Sequence, residues 1–314
     1  MIPVSDISTK IQSFLHTSPN GIVIIRWATA TGKTGLSLKL AKDFPLEIIS
    51  ADSRQVFRYM DIGTDKVTQE QQQAIPHRGI DIVEPDASFT AGQRKQYAQQ
   101  KIQDIQSREK IPFVVGGTGL YIDMLYRNFD MPEVAPQKQR RKKMMSKESQ
   151  HPWRLFEQLS QIDPEEAQKH HPNSHRYILR ALEIYEFTRK TKTAWSGEQP
   201  VEQPMFLLGL RREKEETNRL INQRIREQFT RGLVEEVQRL LNHGYDPDLQ
   251  SMQGIWYKEI VGYLHGEYDL ERAEELLRRN THHLAKKQRT WFRRYLMDAK
   301  VQPKEHVEYE TIFL

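Results

Sequence analysis

The residues best suited to chemistry are Gly32-Lys33-Thr34, and they follow Ile22–Ile25 at short range. Four consecutive apolar residues read as a buried strand, and Leu36, Leu38, Leu40 and Ala41 behind the triplet read as a helix. In a strand–loop–helix of this kind, backbone N–H groups and the helix N-terminus cradle a polyphosphate. The lysine adds charge, and the threonine hydroxyl is placed to ligate Mg²⁺. The full pattern wants glycine at position 27, where this chain has Trp27. A strand–helix junction with an incidental lysine would look the same, so the loop needs support from elsewhere. Asp52, at the tip of a second apolar run (Leu46–Ser50), is a candidate general base, or a cap on the strand end. Arg224, in a later helical segment, is a candidate diphosphate contact, or a solvated helix arginine.

These groups need a frame. The first 130 residues alternate strand and helix signals: Ile22–Ile25, Leu46–Ser50, a short third strand at Ile80–Val83, a helix over Thr90–Arg108 opened by a threonine cap, and a strand over Ile111–Val115. Such alternation predicts a parallel sheet with helices on both faces, whose ligands sit beyond the carboxyl ends of the strands. Thr29–Thr34, Asp52–Gln55 and Gly116–Gly119 all fall there. From 132 to 204 strand signals vanish. A short helix over Pro152–Leu159, with proline in its first turn, and a longer one over Pro164–Arg189 are expected, followed by a polar loop over 190–204. Met205–Leu210 returns to the sheet, and Glu213–Leu241 and Asp269–Met297 are helical. The expected fold class is therefore α/β, a P-loop-type parallel sheet flanked by helices, with an all-helical insertion and C-terminal helices. The expected segments are 1–131 (core), 132–204 (insertion) and 205–314 (return to the core and basic helices).

Of 314 residues, 37% are hydrophobic and 28% charged, with no cysteine and a net charge of +5. That excludes disulfides and thiolate metal sites and fits a reducing, cytoplasmic setting. No apolar run approaches a membrane span and no signal peptide is visible, so no membrane association is expected. The positive charge is clustered. Residues 138–147 hold six Lys/Arg and 278–294 hold seven, both without an acid, and the second carries Trp291 and Phe292. The pattern suits a nucleic acid better than two solvated helix faces.

Taken together, ATATGKT (28–34), IISADSRQVFRYMDIGTDK (48–66), IDIVEPDASFTAG (80–92), VVGGTGLYID (114–123), HPNSHRYILRALEIYE (171–186), YKEIVGYLHGEYDLE (257–271) and KKQRTWFRR (286–294) resemble the bacterial tRNA dimethylallyltransferases. Those enzymes prenylate adenosine 37 beside the anticodon. The resemblance implies a P-loop that holds dimethylallyl diphosphate rather than hydrolysing ATP, through Trp27, Ala28, Thr29, Ala30, Thr31, Gly32, Lys33 and Thr34, with Mg²⁺ on Thr34. It implies Asp52, Thr29 and Lys33 as catalytic residues, and contacts to the tRNA anticodon stem-loop from Asp52, Ser53, Arg54, Gln55, Thr118, Arg140, Arg176, Arg180 and Lys258. A monomer is expected. Two other classes stay open: a P-loop phosphotransferase using ATP, and a tRNA-binding homologue impaired by Trp27.

Trp27 and Trp256 both stand where that family has glycine, and glycine is scarce, 16 of 314. Some bacteria read UGA as glycine and others as tryptophan, so a gene of the first kind translated by the second rule would show this pattern. An indole at position 27 is expected to fill the phosphate site or push the loop open.

Overall fold

The structure is a computed structural model that describes residues 4–132, 134–301 and 304–314; the side chains of residues 4, 5 and 138 lie outside the description. Its described residues fall into two compact units. Unit one comprises Met1–Ala87, Gln96–Ile122 and Val201–Leu314; unit two comprises Ser88–Lys95 and Asp123–Pro200.

Unit one is built on six strands, β1 (Ile22–Arg26), β2 (Leu46–Ser50), β3 (His77–Arg78), β4 (Ile111–Gly116), β5 (Met205–Arg211) and β6 (Val307–Phe313), in the order β3-β2-β4-β1-β5-β6. Every pairing is parallel. A parallel sheet covered on both faces needs strands that are apolar throughout. Every residue of β1 and β2 is buried, and both runs are apolar except for Arg26 at the end of β1 and Glu47 and Ser50 in β2. Pro112 is tolerated in β4 because it precedes Phe113, where pairing with β1 begins. The charged exception in β2 is Glu47, whose side chain is 1% exposed; it accepts hydrogen bonds from Arg78 (2.9 Å) and Lys110 (3.0 Å), and from Arg108. Burial alone would raise its pKa, but these three cations more than offset that and hold it at about 2.

Helices α1 (Val4–Thr17), α2 (Lys33–Leu40) and α3 (Gln69–Ala74) belong to this unit, and α4 (Ala91–Ser107) and α5 (Gly119–Tyr126) cross its boundary. Unit two carries α6 (Lys138–Gln150), α7 (Arg154–Ile162), α8 (Pro164–Gln168), α9 (His175–Thr188) and α10 (Lys192–Trp195), closed over Leu155, Leu159, Ile178 and Leu182. The chain returns with α11 (Lys214–Thr230), α12 (Leu233–Asn242), α13 (Tyr257–Leu264) and α14 (Leu270–Val301). Among the described residues no helix is long and apolar enough to cross a membrane.

The structure corrects four local expectations. The third strand is His77–Arg78 rather than Ile80–Val83: left-handed Gly79 (φ 84°) and Asp81 (φ 53°) break the extended run, and Val83 makes only an isolated bridge to Phe57. The helix expected from Pro152 starts at Arg154, because Trp153 is left-handed (φ 71°, ψ 1°) and the Glu148 carboxylate takes the N–H groups of Trp153 (2.7 Å) and Leu155 (2.9 Å). Pro164–Arg189 is two helices, parted ahead of Pro172, which disfavours helix at His171. Glu213–Leu241 is also two, broken at left-handed Gly232 (φ 92°).

Candidate functional site

The loop between β1 and α2 folds around one acceptor. The carbonyl oxygen of Ala28 takes hydrogen bonds from the Thr31 hydroxyl (2.9 Å) and the Lys33 ammonium (2.6 Å). Gly32 caps α2 at φ 89°, ψ 16°, a conformation in which a side chain is strained. Burial of the Lys33 ammonium pulls its pKa down to about 7; the charge of Arg224 pushes the same way, and Asp52 opposes both. Arg224 donates to the Thr29 hydroxyl (2.9 Å) and lies 3.3 Å from Asp65. The loop therefore gathers Thr29, Lys33 and Arg224, with Asp52 near enough to act on the lysine. Thr34 is exposed, in the first turn of α2.

At the tip of β2, the Asp52 carboxylate accepts from the N–H groups of Arg54 (2.7 Å) and Gln55 (3.4 Å). Thr118 is knitted to the same turn: its N–H donates to Ala51 (3.1 Å) and its hydroxyl accepts from the Ser53 N–H (3.1 Å). Gly116 is required here, since a Cβ would lie 2.2 Å from the Ala51 oxygen. The Gln55 carboxamide is committed to Ser50, Thr64 and Asp65, which makes it a brace of the turn. Arg54 donates to the Gln250 carbonyl (2.6 Å) and lies against Gly254, which brings the block around Lys258 to this turn. Lys258 itself is exposed and 3.6 Å from Glu259.

In unit two the three arginines differ. Arg176 is exposed. Arg140 is exposed and paired with Glu186. Arg180 donates to the Val134 carbonyl (2.7 Å), and burial lowers its pKa. Its neighbour Arg141 makes two hydrogen bonds (2.6 and 2.5 Å) to the fully buried Glu183 carboxylate and so serves the fold.

Against the expectation that it fills the phosphate site or pushes the loop open, the Trp27 indole is turned away from the loop. It is 3% exposed and turned into the core, stacked on Phe292 (6.0 Å between centroids, 20° between planes). Gly209 on β5 lies against it, and a Cβ there would be in ordinary contact with the ring at 3.4 Å. The cost falls on the backbone, at φ 156°.

Sequence reasoning passed over Gln288. The Thr29 N–H donates to its Oε1 (2.8 Å), and its Nε2 donates to the Gly117 carbonyl (2.9 Å). The signal was in α14, whose buried positions run Ala273, Leu277, Thr281, Ala285, Phe292 and Tyr295. Residue 288 falls on that inward stripe, and it is polar. The outward face of the same helix borders a cavity of about 560 Å³ lined by His283, Lys286, Lys287, Thr290, Trp291 and Arg294. This is the second basic run seen in the sequence.

The family model for IPP transferase matches residues 55–295. The chain is 45% identical to a tRNA dimethylallyltransferase of Thermoanaerobacter sp. (strain X514), over 87% of this chain and 89% of that protein. It is 40% identical to one of Thermotoga petrophila, over 93% of each. Among solved structures, a tRNA isopentenylpyrophosphate transferase from Bacillus halodurans superimposes with a TM-score of 0.64 at 36% identity, covering 94% of this chain and 90% of that one. A eukaryotic dimethylallyltransferase acting on tRNA gives 0.72 at 26% identity, covering 93% and 74%. With the family model spanning most of its length and relatives this similar from end to end, the chain belongs to the IPP transferase family.

Proposed function

We propose that the protein transfers a dimethylallyl group from dimethylallyl diphosphate to N6 of adenosine 37 in tRNA. The observation that carries the reading is the convergence of Lys33, Thr29 and Arg224 on one loop, with Asp52 beside it. The diphosphate lies in the loop and takes the Lys33 ammonium over from the Ala28 carbonyl. The adenine amine forms a bond to C1 of the allyl group as the C1–O bond to diphosphate breaks. Asp52 receives the proton of the amine. Charge developing on the leaving diphosphate is offset by Lys33, Arg224, the Thr29 hydroxyl and the loop N–H groups. The described residues contain no cluster of three His, Asp or Glu able to hold a metal. The exposed Thr34 hydroxyl is a single hard oxygen donor, which suits Mg²⁺ held mainly by substrate oxygens and water. When bound there, the ion would add to the charge stabilisation of the leaving group.

The target base must be unstacked to reach this turn. Asp52–Arg54 and Thr118 form this turn in unit one; Lys258, Arg140, Arg176 and the helical segment 132–204 are proposed as further tRNA contacts. The buried setting of the Trp27 indole speaks against an enzyme disabled by that residue. The test is to incubate purified protein with dimethylallyl diphosphate, Mg²⁺ and undermodified tRNA, and to analyse the nucleosides by mass. Prenylated adenosine at position 37 is expected. Turnover of ATP without tRNA, and no prenylated nucleoside, would overturn the reading in favour of a phosphotransferase.

A further inference from the structure

We propose that Gln288 is a positioning residue that sets the spacing between donor and acceptor substrates, a step that rests on the transfer reading above. Its carboxamide joins two loops at the ends of adjacent strands: Oε1 accepts from Thr29, in the loop after β1, and Nε2 donates to Gly117, in the loop after β4. The orientation of the amide is fixed by its partners, because a backbone N–H only donates and a carbonyl only accepts. The first loop holds the diphosphate. The second carries Thr118, whose hydroxyl is bonded to the Asp52 turn. The pairing of β1 with β4 sets the two loops side by side up to Arg26 and Gly116, and beyond that point this side chain ties the loop that holds the diphosphate to the loop that carries Thr118. Gly117 shows how close the approach is, since a Cβ there would stand 2.6 Å from Nε2. An in-line displacement is sensitive to such spacing, and a misplacement near 1 Å costs on the order of 100-fold in rate.

The test compares the unsubstituted protein with Gln288→Met, of similar length but with neither bond, and Gln288→Glu, which keeps the acceptor but turns an anion toward the Gly117 carbonyl. Thermal melts establish folding, and kcat, KM for each substrate and tRNA affinity are measured. For Gln288→Met we expect kcat to fall at least about tenfold while tRNA affinity stays within about threefold. For Gln288→Glu we expect the same fall in kcat and, in addition, a raised KM for dimethylallyl diphosphate. A folded Gln288→Met enzyme with kcat within about twofold of the unsubstituted protein overturns the inference. So does a variant that loses only tRNA affinity, since Gln288 would then be reading RNA. If Gln288→Met does not fold, Gln288→Glu carries the same test. An unsubstituted protein that transfers nothing sinks the transfer reading itself, which separates the two failures.

A second inference stands on different observations. Three of the five tryptophans, Trp27 (φ 156°), Trp153 (φ 71°) and Trp256 (φ 83°), have a positive φ. A bulky side chain there is an outlier, whereas glycine is at ease. Their surroundings have nothing else in common: Trp27 is buried, Trp153 is 57% exposed, and the Trp256 indole N–H is buried without a hydrogen-bond partner. We infer that all three positions are glycine in the protein made by its own cells, encoded by UGA. The codons decide it: UGA at 27, 153 and 256, with UGG at 195 and 291, is expected, and UGG at the three would overturn it. Independently, Trp153→Gly removes a side chain from a residue that is 57% exposed and relieves its positive φ, so it should raise the melting temperature; a lowered one counts against the inference.

Discussion

On the proposed reading, Lys33 should make diphosphate affinity depend on pH. Its ammonium is half charged near pH 7, because burial and Arg224 outweigh Asp52. A bound diphosphate favours the charged form and raises the pKa again, so binding at higher pH must first take up a proton. The sign is fixed: affinity is full below pH 7 and is lost as pH rises through the pKa of the free protein. For a pKa of 7 in the free protein, and one above 9 in the complex, the dissociation constant rises about 50-fold between pH 7 and pH 9, or about 2.3 kcal/mol. An ordinary lysine would change it by only about a few per cent over the same range. The ligand's own last phosphate ionisation, near pH 6, acts below this window and in the opposite sense. The assay is calorimetric titration with a non-transferable thio-analogue of dimethylallyl diphosphate, repeated in buffers of different ionisation enthalpy. Uptake of about 0.9 proton at pH 8 is expected. Lys33→Arg, charged throughout, should bind with a flat profile. A change under about threefold in the unsubstituted protein, or the same slope in the arginine variant, refutes the reasoning.

Asp52→Asn can still accept the Arg54 N–H, so the turn and tRNA binding should survive while the rate falls about 10²–10⁴-fold; a loss under about threefold removes Asp52 as the base. Arg140→Ala should lower the salt dependence of tRNA binding by about one counterion, read from log Kd against log salt; an unchanged slope makes it a plain surface residue. Arg141→Ala should act on stability instead, costing on the order of 3 kcal/mol in a denaturant melt by leaving Glu183 buried beside fewer cations. The Glu47 carboxylate, held near pKa 2, contributes stability that is complete above about pH 4.5 and is lost as pH falls toward 2. Glu47→Gln should therefore flatten the acid limb of the pH–stability curve, and an unaltered limb would exclude Glu47 as its source.

The strands that were legible were those whose environment imposes one pattern. Ile22–Ile25 and Met205–Leu210 lie in the middle of a parallel sheet and are apolar without interruption. β6 was missed although VEYETIF alternates apolar and acidic residues, the period of a half-buried strand at a sheet edge. Helix breaks at Gly232 and ahead of Pro172 were written in the chain, but the apolar period continues across them. At the site, residues 29–34 and 52 were picked out by their types and by their place after β1 and β2. The basic stretch over 138–147 did not separate Arg140 from Arg141, since only the fold shows which one faces Glu183. Gln55 looked like a base-reading side chain and is spent on its own turn.

The strand order has a consequence for how the chain is made. β1 has its two partners in β4 and β5, and the whole of α6 to α10 is inserted between those two strands. One edge of Ile22–Arg26 must therefore wait, apolar and unpaired, until Met205–Arg211 has left the ribosome, and the sheet is completed only when residues 307–313 add to β5. Contacts of such long sequence separation form slowly, and exposed strand edges invite association in the meantime. The cluster around Leu155, Leu159, Ile178 and Leu182 is local in sequence and can close first. A helical part that can close on local contacts is thus set between strands that must find one another across it.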